Sequence, residues 1–275
     1  MKRIYTYGGQ PADRNLTVAD IIAAKGNTQF TQVSATDADE AAACEQNGID
    51  MISIWDSDTE VVRQAAPNTF VIAGLGMTAY ATNEEILRAA IKAAEAGADA
   101  VYTARGLDVV RMLVAEGLCV QGHLGLVPRL STRIGGLRAV GKTAEEAIRL
   151  FDDFRRLEDA GAYAVEVECV AAPALEEITQ RTGLITHSIG SGPAGDVIFC
   201  FMEDICGDTP NPPRHARAFG GLQSLRTQIV NERGSSLDQF RAAVRDRTYP
   251  GPSESISMKP AELDAFREHL AQSTQ

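Results

Sequence analysis

Residues 143–168 read TAEEAIRLFDDFRRLEDAGAYAVEVE. Apolar residues three or four apart from Thr143 to Ala160 predict an amphipathic helix, and Thr143 followed by Glu146 has the spacing of a capping box. Gly161 ends the helix, where a left-handed residue is needed, and Tyr163 to Val167 then alternates like a strand. Alternation puts Glu166 and Glu168 on one face of that strand. Two carboxylates on the face that should be buried demand pairing, protonation or a cation.

The same order of helix, glycine and strand recurs along the chain. Apolar runs at Phe30 to Ser34, Met51 to Ile54, Phe70 to Ala73, Ala100 to Thr103, Leu118 to Val120, Leu184 to Ser188 and Val197 to Phe201 complete a set of eight. Helical patterns lie at 37–47, 83–96 and 107–115, and Gly48, Gly97, Gly117 and Gly183 punctuate them. The economical reading is a (β/α)₈ TIM barrel. One domain spans 1–275, with the barrel at about 28–210, a short helix at 17–22 covering its bottom, and a C-terminal helical extension at about 214–275.

Composition agrees with such a fold. The chain has 275 residues, 44% of them apolar and 23% charged, enough for a large core. A net charge of -11 argues against a nucleic-acid partner. No apolar stretch reaches the length of a membrane span or a signal peptide, so a cytoplasmic location and no membrane partner are expected. The five cysteines have no metal-like spacing and are expected to be free thiols.

In a TIM barrel the active site forms at the carboxyl ends of the strands. The candidates there are Asp56 and Ser57, Gly74, Ala104 and Arg105, His123, Glu168, and the turn Gly190-Ser191-Gly192, which resembles an anion-binding nest. His123 stands at the root of a long unpatterned loop, 122–142, whose Arg129, Arg133, Arg138 and Lys142 form a positive rim. His187, inside a strand, is read as core.

Four segments together resemble the ketopantoate hydroxymethyltransferase family of the phosphoenolpyruvate mutase/isocitrate lyase superfamily. They are GHLGLVP at 122–128 followed by GGLRAVGK at 135–142, LEDAGAYAVEVECV at 157–170, SIGSGPAGD at 188–196 and EDICG at 203–207. The resemblance implies an enzyme that joins 3-methyl-2-oxobutanoate to the one-carbon unit of 5,10-methylenetetrahydrofolate through an enolate, with Mg²⁺ polarising the ketone. It implies Asp56 as metal ligand, Ser57 as a substrate-binding residue, Glu168 as base, His123 as a catalytic hydrogen-bonding residue, and a homo-oligomer; Gly190 and Ser191 are expected to bind substrate through the nest-like turn.

Three positions depart from the family pattern: Gly74 and Ala104 replace carboxylates, and Tyr102 replaces a lysine. Glu166, apolar in the family, offers two compensations. It could be a replacement ligand for Mg²⁺, or it could meet Arg105 in a metal-free site where Arg105 grips the carboxylate of a 2-oxo acid. An aldol- or Claisen-type carbon-carbon lyase and a barrel retaining only a binding role are the alternative functions.

Overall fold

A computed structural model describes residues 1–273. Two short strands, β1 (Lys2–Tyr5) and β2 (Pro11–Arg14), form an antiparallel hairpin, followed by helix α1 (Val18–Ala23). Eight strands then alternate with helices: β3 (Phe30–Ser34), α2 (Ala38–Gln46), β4 (Met51–Trp55), α3 (Thr59–Ala65), β5 (Phe70–Gly74), α4 (Asn83–Glu95), β6 (Ala100–Tyr102) and α5 (Leu107–Ala115). They continue with β7 (Val120–Gly125), α6 (Ala144–Asp159), β8 (Ala164–Glu168), α7 (Ala172–Thr179), β9 (Ile185–Ile189), β10 (Val197–Cys200) and α8 (Met202–Ile205). Strands β3 to β10 close into a parallel barrel in which β10 pairs with β3. The expected TIM barrel is therefore present.

Alternation divides each strand between two cores. Outward-facing Val120, Val165 and Val167 are buried against Leu150, Phe154 and Leu157 of α6. At the bottom, Phe30, Met51, Phe70, Ala100 and Val197 close the barrel from within, and Ile21 of α1 packs in the same cluster. Thr143 caps α6 by accepting from Glu146 N, while the Glu146 carboxylate accepts from Lys142 N.

The hairpin is tied in by an ion network. Asp99 accepts from Arg14 Nε and Arg63 Nη2, both at 2.7 Å, and from the backbone N–H of Val71 at 2.9 Å. All five cysteines are free.

One boundary differs from the expectation in a way that matters. Strand β7 does not stop at Val120 but runs to Gly125, so His123 lies within the strand, with Glu166 of β8 as its register partner. Gly125 makes the exit possible. It has φ +94°, and a Cβ there would stand 2.4 Å from the Glu168 carbonyl oxygen. Beyond it a 3₁₀ stretch, Pro128–Ile134, occupies the segment that showed no period.

The chain divides into two compact units, Met1–Gly220 and Gly221–Gln275. The second holds α9 (Leu222–Arg245) and α10 (Pro260–Gln272), and neither helix has a buried residue. The last two residues of the expected tail, 274 and 275, lie outside the described residues. Among the described residues no helix is long and apolar enough to cross a membrane.

Candidate active site

Inward-facing residues at the carboxyl ends of the strands line a cavity of about 440 Å³. Its walls are mostly apolar, with Trp55, Leu75, Met77, Val127, Phe199 and Phe201, and Tyr102, His123, Glu166 and Glu168 form a polar cluster in it. Arg129, from the 3₁₀ stretch, lines the same cavity and donates to Thr78 Oγ1 at 3.2 Å.

The cluster is tightly connected. Tyr102 Oη lies 2.5 Å from His123 Nδ1 and donates to Glu166 Oε1 at 3.4 Å. His123 Nδ1 is 3.7 Å from Glu166 Oε1, and Nε2 is 3.4 Å from Glu168 Oε2. His123 Nε2 also meets the Leu126 carbonyl oxygen at 2.9 Å. A carbonyl only accepts, so Nε2 carries a hydrogen in either charge state.

Burial by itself would lower the His123 pKa, but the hydrogen bond with Glu168 and the charges of Glu166 and Glu168 outweigh it and raise it. Burial first, and the Glu168 charge with it, pushes the Glu166 carboxyl up, while His123 and Tyr102 pull against that shift. The Tyr102 phenol is raised well above the ordinary range, by burial and then by Glu166 and Glu168.

The other expected residues are placed elsewhere. Asp56 lies in a 3₁₀ turn after β4, where its carboxylate accepts from the Tyr80 hydroxyl, and neither it nor Ser57 lines the cavity. Ser57 Oγ donates to Asp58. Ser191 is fully buried and its hydroxyl bonds the backbone of β8 and its exit, donating to the Val167 carbonyl and accepting from Val170 N, both at 2.8 Å. Gly190, at φ +66°, packs where a Cβ would stand 2.9 Å from His215 Nδ1.

Of the two alternatives for Glu166, the pairing with Arg105 is not formed. Arg105 donates to the Tyr80 carbonyl and lines a second cavity of about 650 Å³. The physical reason is the Tyr80 carbonyl, which takes the guanidinium in the loop beyond β6. The second cavity also meets His123, and it carries Arg133, Arg138, Arg149 and Arg156.

The pattern of the ketopantoate hydroxymethyltransferase family matches residues 57–252. The chain belongs to this family. It is 33% identical to the 3-methyl-2-oxobutanoate hydroxymethyltransferase of Thermus thermophilus, over 87% of this chain and 99% of that one. The corresponding protein of Pyrobaculum islandicum is 32% identical, over 80% of this chain and 93% of its own. Among solved structures, 2,3-dimethylmalate lyase, a phosphoenolpyruvate mutase/isocitrate lyase superfamily member, aligns with a TM-score of 0.51 and 15% identity over 94% of this chain and 100% of that one. A phosphonopyruvate hydrolase in complex with oxalate and Mg²⁺ aligns equally well, at 0.51 and 11% identity, over 94% of this chain and 99% of its own. At these identities the two structures speak for the fold.

Set against the Mg²⁺ that the ketopantoate hydroxymethyltransferase resemblance implies, the residues present fit poorly. His123, Glu166 and Glu168 offer ligand atoms within 4.8 Å of one another. Mg²⁺, however, takes oxygen ligands in near-ideal octahedral geometry, and both nitrogens of His123 already have hydrogen-bond partners. Asp56 is engaged by Tyr80, and Gly74 and Ala104 bring no carboxylate. A Cβ at Gly74 would be tight against the Ile54 carbonyl oxygen, at 3.1 Å, and in ordinary contact with Tyr102 Cδ1 at 3.5 Å and Trp55 Cε3 at 3.7 Å.

In the sequence Tyr102 stands out only as the residue in place of a family lysine. Its inward register beside His123 was the available signal. Tyr80, which holds both Asp56 and Arg105, sits in a segment with no pattern and gave none.

Proposed function

We propose that this protein removes the proton next to the keto group of a small 2-oxo acid and joins the enolate to a one-carbon unit, with 3-methyl-2-oxobutanoate as the oxo acid. The observation that carries the reading is the pair Glu166 and Glu168 with His123 in a mostly apolar cavity, in a chain of this family. Enolisation needs a base within reach of carbon, a donor for the developing oxyanion and a site that keeps water out.

Glu168 is the base, being the more accessible carboxylate of the two, with 18% of its side chain exposed against 10% for Glu166. Arg129 is the cation available to the substrate carboxylate, a contact suited to a planar guanidinium. Phe199, Phe201 and Leu75 accommodate a short branched alkyl group. The one-carbon donor is 5,10-methylenetetrahydrofolate, the co-substrate that the family resemblance implies.

The test is direct. The protein is incubated with 3-methyl-2-oxobutanoate and 5,10-methylenetetrahydrofolate, and ketopantoate is sought by NMR. Product formation at a rate proportional to protein is expected; absence of both product and C3 deuterium exchange in D₂O would reject this substrate.

The protein acts as a homo-oligomer. Support comes from α9, where Leu225, Ile229, Leu237, Phe240 and Val244 are all exposed, an apolar series unusual on a monomer. Light scattering at micromolar concentration should give a multiple of the 29.4 kDa chain mass, and a monomeric mass would refute assembly.

A further inference from the structure

We propose that Tyr102 is a catalytic residue that stands in the place of a divalent ion, donating the hydrogen bond that holds the enolate oxygen, with His123 behind it. This rests on the enolising function above and adds the group that carries the developing charge.

An enolate forming against largely buried side chains needs a donor or cation already in position, because preorganised groups stabilise developing charge without reorganising. The carboxylates that would hold an ion are gone at Gly74 and Ala104 and engaged at Asp56. Gly74 faces the Tyr102 ring, whose Cδ1 would be in ordinary contact, at 3.5 Å, with a Cβ there.

The phenol is placed to act. Its oxygen lies between His123 Nδ1, at 2.5 Å, and Glu166 Oε1, at 3.4 Å, in the wall of the cavity. The other end of the imidazole is held by the Leu126 carbonyl, so the ring is fixed in orientation. Flanked by Glu166 and Glu168, which raise its pKa, His123 with a proton on Nδ1 donates to the phenol oxygen 2.5 Å away. The phenol hydrogen is then free to turn from Glu166 to a ketone oxygen, and the imidazolium makes it a stronger donor.

The step balances without a co-reactant. Glu168 takes the proton from the carbon beside the ketone as that C–H bond breaks. Its electrons form the carbon-carbon double bond, and the carbonyl π pair moves to oxygen, which accepts from Tyr102 Oη–H. Glu166 is a positioning residue, 3.4 Å from the phenol oxygen and 3.7 Å from His123 Nδ1.

Two measurements on the full chain test this. In the first, exchange at C3 of 3-methyl-2-oxobutanoate in D₂O is followed by NMR with EDTA and with Mg²⁺. The expected result is an equal rate in both, and for Tyr102→Phe a fall in kcat of roughly 10²-fold, the size seen when one oxyanion donor is removed, with KM little changed. Exchange that stops in EDTA and returns with Mg²⁺, or wild-type exchange in Tyr102→Phe, overturns the proposal.

In the second, oxalate, an enolate mimic, is titrated into metal-free protein carrying ¹³Cζ-tyrosine, and Mn²⁺ binding is read by EPR with and without oxalate. A Tyr102 resonance that moves with oxalate and vanishes in Tyr102→Phe supports the proposal. An unmoved resonance overturns it, as does one Mn²⁺ per chain that is lost in Glu166→Gln. If wild-type protein exchanges no oxo acid under any condition, the proposed substrate fails while the oxalate titration still decides the role of Tyr102.

Discussion

The ring of Tyr102 lies against the bare face of Gly74, with Tyr102 Cδ1 3.5 Å from where a Cβ would be. Gly74→Asp, which restores the family's residue type, is therefore expected to lower stability by about 1–3 kcal/mol through overpacking. Combined Gly74→Asp and Tyr102→Lys should recover much of that loss, because the ring is removed. Urea denaturation of the three proteins checks it; additive losses in the double variant would contradict the steric account.

Glu168→Gln keeps the shape of the side chain and removes the base. Deuterium exchange at C3 of the oxo acid should fall at least roughly 10²-fold. If it continues at the wild-type rate, Glu166, on the same face of β8, is the next residue to substitute.

Asp99 is predicted to be a main support of the barrel bottom. Its side chain is 9% exposed and pairs with Arg14 and Arg63, 3% and 12% exposed. Asp99→Ala leaves two nearly buried guanidinium groups facing each other and should cost about 3–5 kcal/mol. A loss under 1 kcal/mol by chemical denaturation would show the network to be dispensable.

His187 yields a pH prediction with a definite sign. It is fully buried one strand from Glu166, with its Nδ1 2.5 Å from Gln32 Oε1, and burial depresses its pKa to about 3. An unfolded histidine takes its proton near pH 6.5, so below that pH the unfolded state binds more protons than the folded one. Stability should fall as pH drops from about 6.5 towards about 3, by at most roughly 1.4 kcal/mol per pH unit from this group. His187→Met should lose less over the same range, and parallel pH dependences in the two proteins would refute the assignment.

The barrel itself was legible from the chain alone, since strand period, helix period and terminating glycines are local properties. Alternation likewise determined that Glu166 and Glu168 share a face, because neighbouring side chains on a strand point opposite ways whatever surrounds them. His123 was identified by its motif, although its strand was cut short: Gly122 and Gly125 read as loop in isolation, whereas pairing with β8 extends β7 past them.

What these groups meet was decided only by the tertiary structure. Tyr102, His123 and Glu166 come from three adjacent strands, and their contacts depend on the register of β6 on β7 and β7 on β8. Asp56 and Arg105, the two alternative companions of Glu166 in the sequence, are drawn aside by Tyr80, a partner reached through a loop. A hydrogen bond forms within about 3 Å, and sequence patterns constrain direction along a strand but not distance between loops. The carboxylate cluster could be foreseen from alternation; that a phenol and an imidazole, rather than Arg105, would face it could not.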